Sequence, residues 1–225
     1  MDSYALLVLA CAAFVGTHFL MSHTLRARMV ARLGNGGFMA TYSLVSLATF
    51  AWAGWAFWNA PMGDFQWVPT DGVWAAASVL TLLASILLVG SFRGNPALPQ
   101  PNADALATKT PAGVFRVTRH PMMWGVSLWA LAHILVAPRT EVFIFMGAMI
   151  LLGVAGSAGQ DRKKAVLGGN SWNLWVSRTS FWPRLSQLGR IGLTAWLSGI
   201  ALWLVATWAH NFFGAYDAGI FRWLS

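Results

Sequence analysis

The chain has 225 residues, of which 57% are hydrophobic and only 10% charged, at a mean hydropathy of +0.57. A soluble domain of this size carries about 25% charged residues, so an ordinary water-soluble fold is excluded. The formal net charge of +8 would suggest nucleic acid in a soluble protein, but its distribution along this chain points to a membrane surface, with no nucleic-acid partner.

In chain order, charge-free runs cover residues 3–25, 38–63, 72–92, 121–138, 142–160 and 191–216. Crossing the hydrocarbon as a helix takes about 20 apolar residues. The pattern therefore predicts an all-α polytopic membrane protein with about six transmembrane helices in one integral membrane domain over 1–225. The runs 121–138 and 142–160 are separated only by Arg139-Thr140-Glu141, which predicts a tight helical hairpin.

The connections 22–37, 92–120 and 161–190 hold thirteen of the fifteen Lys and Arg residues. The opposite side keeps Arg139 and Arg222 beside Asp2, Asp64, Asp71, Glu141 and Asp217. This is the positive-inside pattern, and it places both termini on the non-cytoplasmic side. The first basic connection, Ser22 to Gly37, reads either as a short amphipathic helix, with Leu25, Met29 and Leu33 recurring every four residues, or as a solvated turn. The second contains Pro96, Pro99, Pro101 and Pro111, which exclude a long helix. The third breaks at Gly168-Gly169-Asn170; Trp172 and Trp175 on the short helix after it suit the lipid headgroup layer. Cys11 is the single cysteine, so no disulfide forms within the chain.

Ionisable groups inside a bilayer are costly and mark functional sites. His18 lies eight residues before Arg26 and His133 fourteen after Arg119. At a helical rise of about 1.5 Å per residue their depths differ by about 9 Å. Each reads either as a metal or haem ligand or as a partner in an interhelical hydrogen bond. His210, beside Asn211, reads as an interfacial residue and His23 as a solvated one. Arg119-His120-Pro121 is either a helix start with proline in its first turn or a grip for an anionic ligand group. No paired carboxylates, Walker-type loop or zinc-protease motif occurs.

Three stretches carry a family resemblance. They are His18-Phe-Leu-Met-Ser-His-Thr-Leu-Arg26 with Leu33-Gly34 and Tyr42 to Leu47; Phe115 to Gly125 with Trp129-Ala-Leu-Ala-His133; and Asp161-Arg162-Lys163 with Trp175, Arg178-Thr179 and Pro183. Together they resemble the NnrU family, associated with nitrite and nitric oxide reductase expression in denitrifying bacteria. The resemblance implies a multi-pass protein of the bacterial inner membrane, with denitrification proteins as expected partners beside membrane lipids. The same family includes 15-cis-ζ-carotene isomerase, a haem b enzyme, and similarity to it puts the two histidine ligands on His18 and His133. That enzyme carries a cysteine, implicated in ligand exchange, where this chain has Ala130. The implied ligands are a hydrophobic polyene, isomerised cis to trans, or a diatomic gas. A rival resemblance, of Arg119-His120-Pro121 and Gly125 to isoprenylcysteine-type membrane methyltransferases, implies S-adenosylmethionine held near Arg119 and His120, with the acidic pair reduced to Gln160-Asp161.

Overall fold

The computed structural model describes residues 2–212 and 217–224, and no strand occurs among them. The main helices are α1 (Ser3–Phe19), α2 (Arg26–Trp58), α3 (Asp71–Gly90), the short α4 (Ala103–Ala107), α5 (Pro121–Val136), α6 (Thr140–Arg178) and α7 (Leu193–Ala209). A π-helical turn, Leu20–Thr24, prolongs α1 toward α2. The expected all-α architecture is therefore present.

Among the described residues four helical stretches are long and apolar enough to cross a membrane: Ser3–Thr24, Asp71–Gly90, Thr140–Arg178 and Leu193–Phe212. α5 is a shorter apolar helix of 16 residues. The apolar run at 38–63 forms the second part of α2 and ends as helix at Trp58. The last four residues of the sixth expected run, 213–216, lie outside the described residues. Only 11% of the most apolar window of α7 is buried inside the protein. Leu44, Leu47, Val79, Leu151 and Val205 are likewise exposed on helix surfaces. A soluble monomer does not leave so continuous an apolar exterior in water, whereas lipid solvates it.

The helices pack in the order α2 on α1, α1 on α6, α6 on α5, α5 on α3, and α3 on α7. Close approach depends on small residues, as membrane bundles require. A methyl group at Gly125 would lie 2.9 Å from the Ala84 carbonyl oxygen. One at Gly199 would overlap Ile86.

The expected break at Gly168-Gly169-Asn170 is present, and Gly34 makes another. Gly34 (φ 69°) and Gly169 (φ 48°) each take a left-handed conformation that a side chain disfavours. Both kink a helix, and the chain resumes helix beyond them. The first basic connection is thus helical on either side of Gly34. The proline-rich second connection holds only α4 and a 3₁₀ turn, Gly113–Arg116, as its prolines dictate.

Trp172 and Trp175 correct the headgroup reading. Both are buried, packed with Phe115, Val114, Val117 and Ala107 in a second apolar core beneath the bundle. The second and third connections bury their apolar surface against each other, which removes these indoles from the lipid interface.

Candidate functional site

The motif residues at the basic end form a clamp. Arg119 N–H donates to the Ser180 carbonyl (2.8 Å), Arg184 N–H to that of Val117 (2.9 Å). The Thr118 hydroxyl and the Trp124 indole both donate to the Phe181 carbonyl, at 2.7 and 2.9 Å. The segment entering α5 is therefore tied to the segment leaving α6, which explains why these two distant stretches carry one signature.

Inside this clamp Arg119 Nε lies 3.0 and 2.9 Å from the two carboxylate oxygens of Asp161. His120 contacts Asp161 through Nε2 at 2.9 Å and the Gln160 amide oxygen through Nδ1 at 3.2 Å. The His120 side chain is fully buried, and those of Arg119 and Asp161 are 12% and 18% exposed. Phe181 stacks edge-on against His120 and lies under the Arg119 guanidinium. The cluster satisfies its own charges, so its geometry is that of a structural lock joining α5 to α6.

His18 and His133 occupy different neighbourhoods. On α1, His18 places Nδ1 2.8 Å from the Phe14 carbonyl and its ring against Phe14 and Tyr42. On α5, His133 places Nδ1 2.8 Å from the Trp129 carbonyl and its ring against Trp129 and His210. α6 packs against both α1 and α5 and supplies a common ruler. His23 abuts Gly159 and Ser127 abuts Gly153. Counting from these landmarks at about 1.5 Å per residue, His18 and His133 differ in depth by about 10 Å. The structure does not bring them together.

It brings His133 to His210 instead. Their ring centroids lie 6.1 Å apart. His210 Nδ1 lies 2.7 Å from the Ala206 carbonyl. In both rings an Nδ1–H donating to a helix carbonyl leaves Nε2 with its lone pair free, the tautomer that metal-binding imidazoles adopt. Both histidines line a cavity of ≈ 570 Å³ at the end of the bundle that carries the α5–α6 hairpin. Its walls are mostly apolar and include Trp74, Trp129 and Trp203, with Ser78, Thr81 and Thr207 as polar points. Trp203 Nε1 is held by the Thr81 hydroxyl at 3.0 Å, fixing one wall.

The cavity rim is braced by Glu141, which is buried, accepts from Gly63 N–H at 3.0 Å and pairs with Arg139 Nε at 3.2 Å. Sequence reasoning assigned His210 to the interface and missed its neighbour. The available signal was level: His133 stands three residues before the end of α5 and His210 one past the end of α7.

Among the described residues no group of three or more His, Cys, Asp or Glu side chains converges as a metal site. A bare transition-metal ion needs about four ligands, so the histidine pair alone would leave it under-coordinated. Haem iron takes four nitrogens from its macrocycle and one or two from the protein. His133 and His210, with rings 6.1 Å apart on one cavity wall, would be the residues to supply such nitrogens. The donor set at His133 and His210 would suit a haem, whereas no ring contact joins His18 to His133 among the described residues.

No curated protein and no solved structure matches the chain. A family model described as NnrU protein matches residues 6–217, nearly the whole length. The chain is a multi-pass membrane protein that belongs to the NnrU family.

Proposed function

We propose that this protein binds haem b in the cavity at the hairpin end, with His133 as an iron ligand and His210 facing it, and serves nitric oxide or electron-transfer chemistry in the bacterial inner membrane. The observation that carries the reading is the pair of lone-pair nitrogens offered by two histidines whose rings lie 6.1 Å apart on the wall of an apolar cavity. Haem held there would supply one-electron redox chemistry, and affinity for a diatomic gas where one imidazole gives way.

The chain's own residues define the rest. The Trp129 and Ala206 carbonyls orient the two imidazoles. The tryptophan walls and the lipid-facing helices exclude water, which favours an apolar ligand. Arg139 at the rim is paired with Glu141, which fixes the rim beside the cavity.

Two observations favour this over polyene isomerisation. A cavity of ≈ 570 Å³ takes one drug-sized molecule, not a macrocycle together with a long polyene. Ala130, where the resembling isomerase has its exchange cysteine, is fully buried in the core that α1 and α6 share. Methyl transfer is disfavoured because Arg119 and His120 are engaged by Asp161 and Gln160. The direct test is a pyridine haemochrome assay on the detergent-purified protein expressed with haem supplied. Near-stoichiometric haem b in wild type, lost in His133→Ala, supports the proposal; a colourless wild type refutes it.

A further inference from the structure

The basic end contains a second cavity, ≈ 300 Å³, between the π-turn, the start and kinked middle of α2, the proline-rich connection and α6. Arg26, Lys163 and Lys164 all line it, and Asp104 is the one acid among the described lining residues. The positive-inside rule accounts for how many cations lie at this end. It does not account for their convergence. Arg28 and Arg32, from the same stretch, are exposed, whereas Arg26, Lys163 and Lys164 are partly buried.

The three cations are held in place. The Arg26 guanidinium lies over the Phe38 ring at 5.5 Å. Lys164 donates to the Pro96 carbonyl at 3.0 Å and lies over Trp172 at 5.9 Å. Lys163 is repelled by both Arg26 and Lys164. None of the three has an ion-pair partner within 4.0 Å among the described residues. Asp104 attracts Lys164 without pairing with it, so one carboxylate faces three cations, and Asp161 one turn away is locked to Arg119 and His120. A concave site lined by like charges focuses its field on an incoming anion, and hydrogen bonds to such an anion are charge-assisted. Ser22, Tyr42 and Gln160 add neutral polar groups to the wall.

We propose that this cavity is a binding site for a phosphate-bearing anion, the headgroup of an anionic phospholipid or a free phosphate, held by Arg26, Lys163 and Lys164. Basic pockets between transmembrane helices bind anionic headgroups by this chemistry. Met39 and Leu167, lining the same cavity and exposed on its rim, give an acyl chain an apolar path outward. The site is independent of the haem reading, since it uses none of the residues of the other cavity.

The test uses the full-length protein in a neutral detergent. Soluble short-chain phosphatidylglycerol, short-chain phosphatidylcholine and inorganic phosphate are titrated separately, and protection of the Lys163 amine from acylation is read by mass spectrometry. Saturable protection by phosphatidylglycerol alone identifies a headgroup site; saturable protection by inorganic phosphate as well identifies a phosphate site. In either case Arg26→Gln weakens the probe about tenfold, the loss of one charge-assisted contact, while Arg28→Gln leaves it unchanged. No saturable protection of wild type by either anion overturns the proposal without recourse to any variant. Equal weakening by Arg26→Gln and Arg28→Gln also overturns it, because it would mean diffuse surface attraction.

Discussion

His133 and His210 come from different helices, 77 residues apart in the chain, yet their imidazoles lie 6.1 Å apart and both keep Nε2 free by turning Nδ1 to a carbonyl four residues back. Two neutral imidazoles gain little from each other at that distance. Their tautomers and their shared cavity make sense as a prepared ligand pair.

The Asp161 lock is structural on this account. Asp161→Asn removes the charge that holds Arg119 and His120, leaving a fully buried imidazole and a guanidinium 12% exposed with a weaker acceptor. The expected cost is about 2 kcal/mol, the scale of a hydrogen bond to a charged group, seen as a lowered melting temperature in detergent. Any haem absorbance of protein that remains folded should be unchanged, because the lock lies at the opposite end of the bundle.

The same lock predicts the outcome for S-adenosylmethionine. Isothermal titration of the purified protein should give no saturable binding. Saturable binding that disappears in Arg119→Gln would show instead that the cluster opens to ligand, and would restore the methyltransferase reading.

Helix contacts through glycine predict a graded pair of stability effects. Gly199→Val forces a branched side chain into Ile86, and overpacking of this kind costs about 1–3 kcal/mol. Gly54 faces open space, so Gly54→Ala should melt at or slightly above wild type, since alanine is the better helix former. Thermal melts of the two variants beside wild type check both directions.

Most of the helices could be read directly from the chain because charge-free length is a one-dimensional property. The depth of each histidine was equally legible: 1.5 Å per residue gave about 9 Å between His18 and His133, and the packing against α6 gives about 10 Å. What could not be read was lateral order. That α3 packs between α5 and α7 depends on which small residues meet across helices, such as Gly125 on Ala84 and Gly199 on Ile86. That information is pairwise and long-range. The same limit sent Trp172 and Trp175 to the lipid surface, since a buried and an interfacial tryptophan look alike in sequence until their partners, here Phe115 and the second connection, are known. The Arg119-His120 motif and the segment around Phe181 were both noticed, but only the hydrogen bonds between them reveal one clamp.

The most direct test of the central claim is the low-temperature electron paramagnetic resonance spectrum of the oxidised, purified protein, for wild type, His133→Ala, His210→Ala and His18→Ala. The account predicts a low-spin ferric haem signal of bis-imidazole type in wild type and in His18→Ala, converted to high spin or lost in His133→Ala and His210→Ala. A bis-imidazole signal that survives in His210→Ala and vanishes in His18→Ala would contradict it, and would place the second ligand on α1.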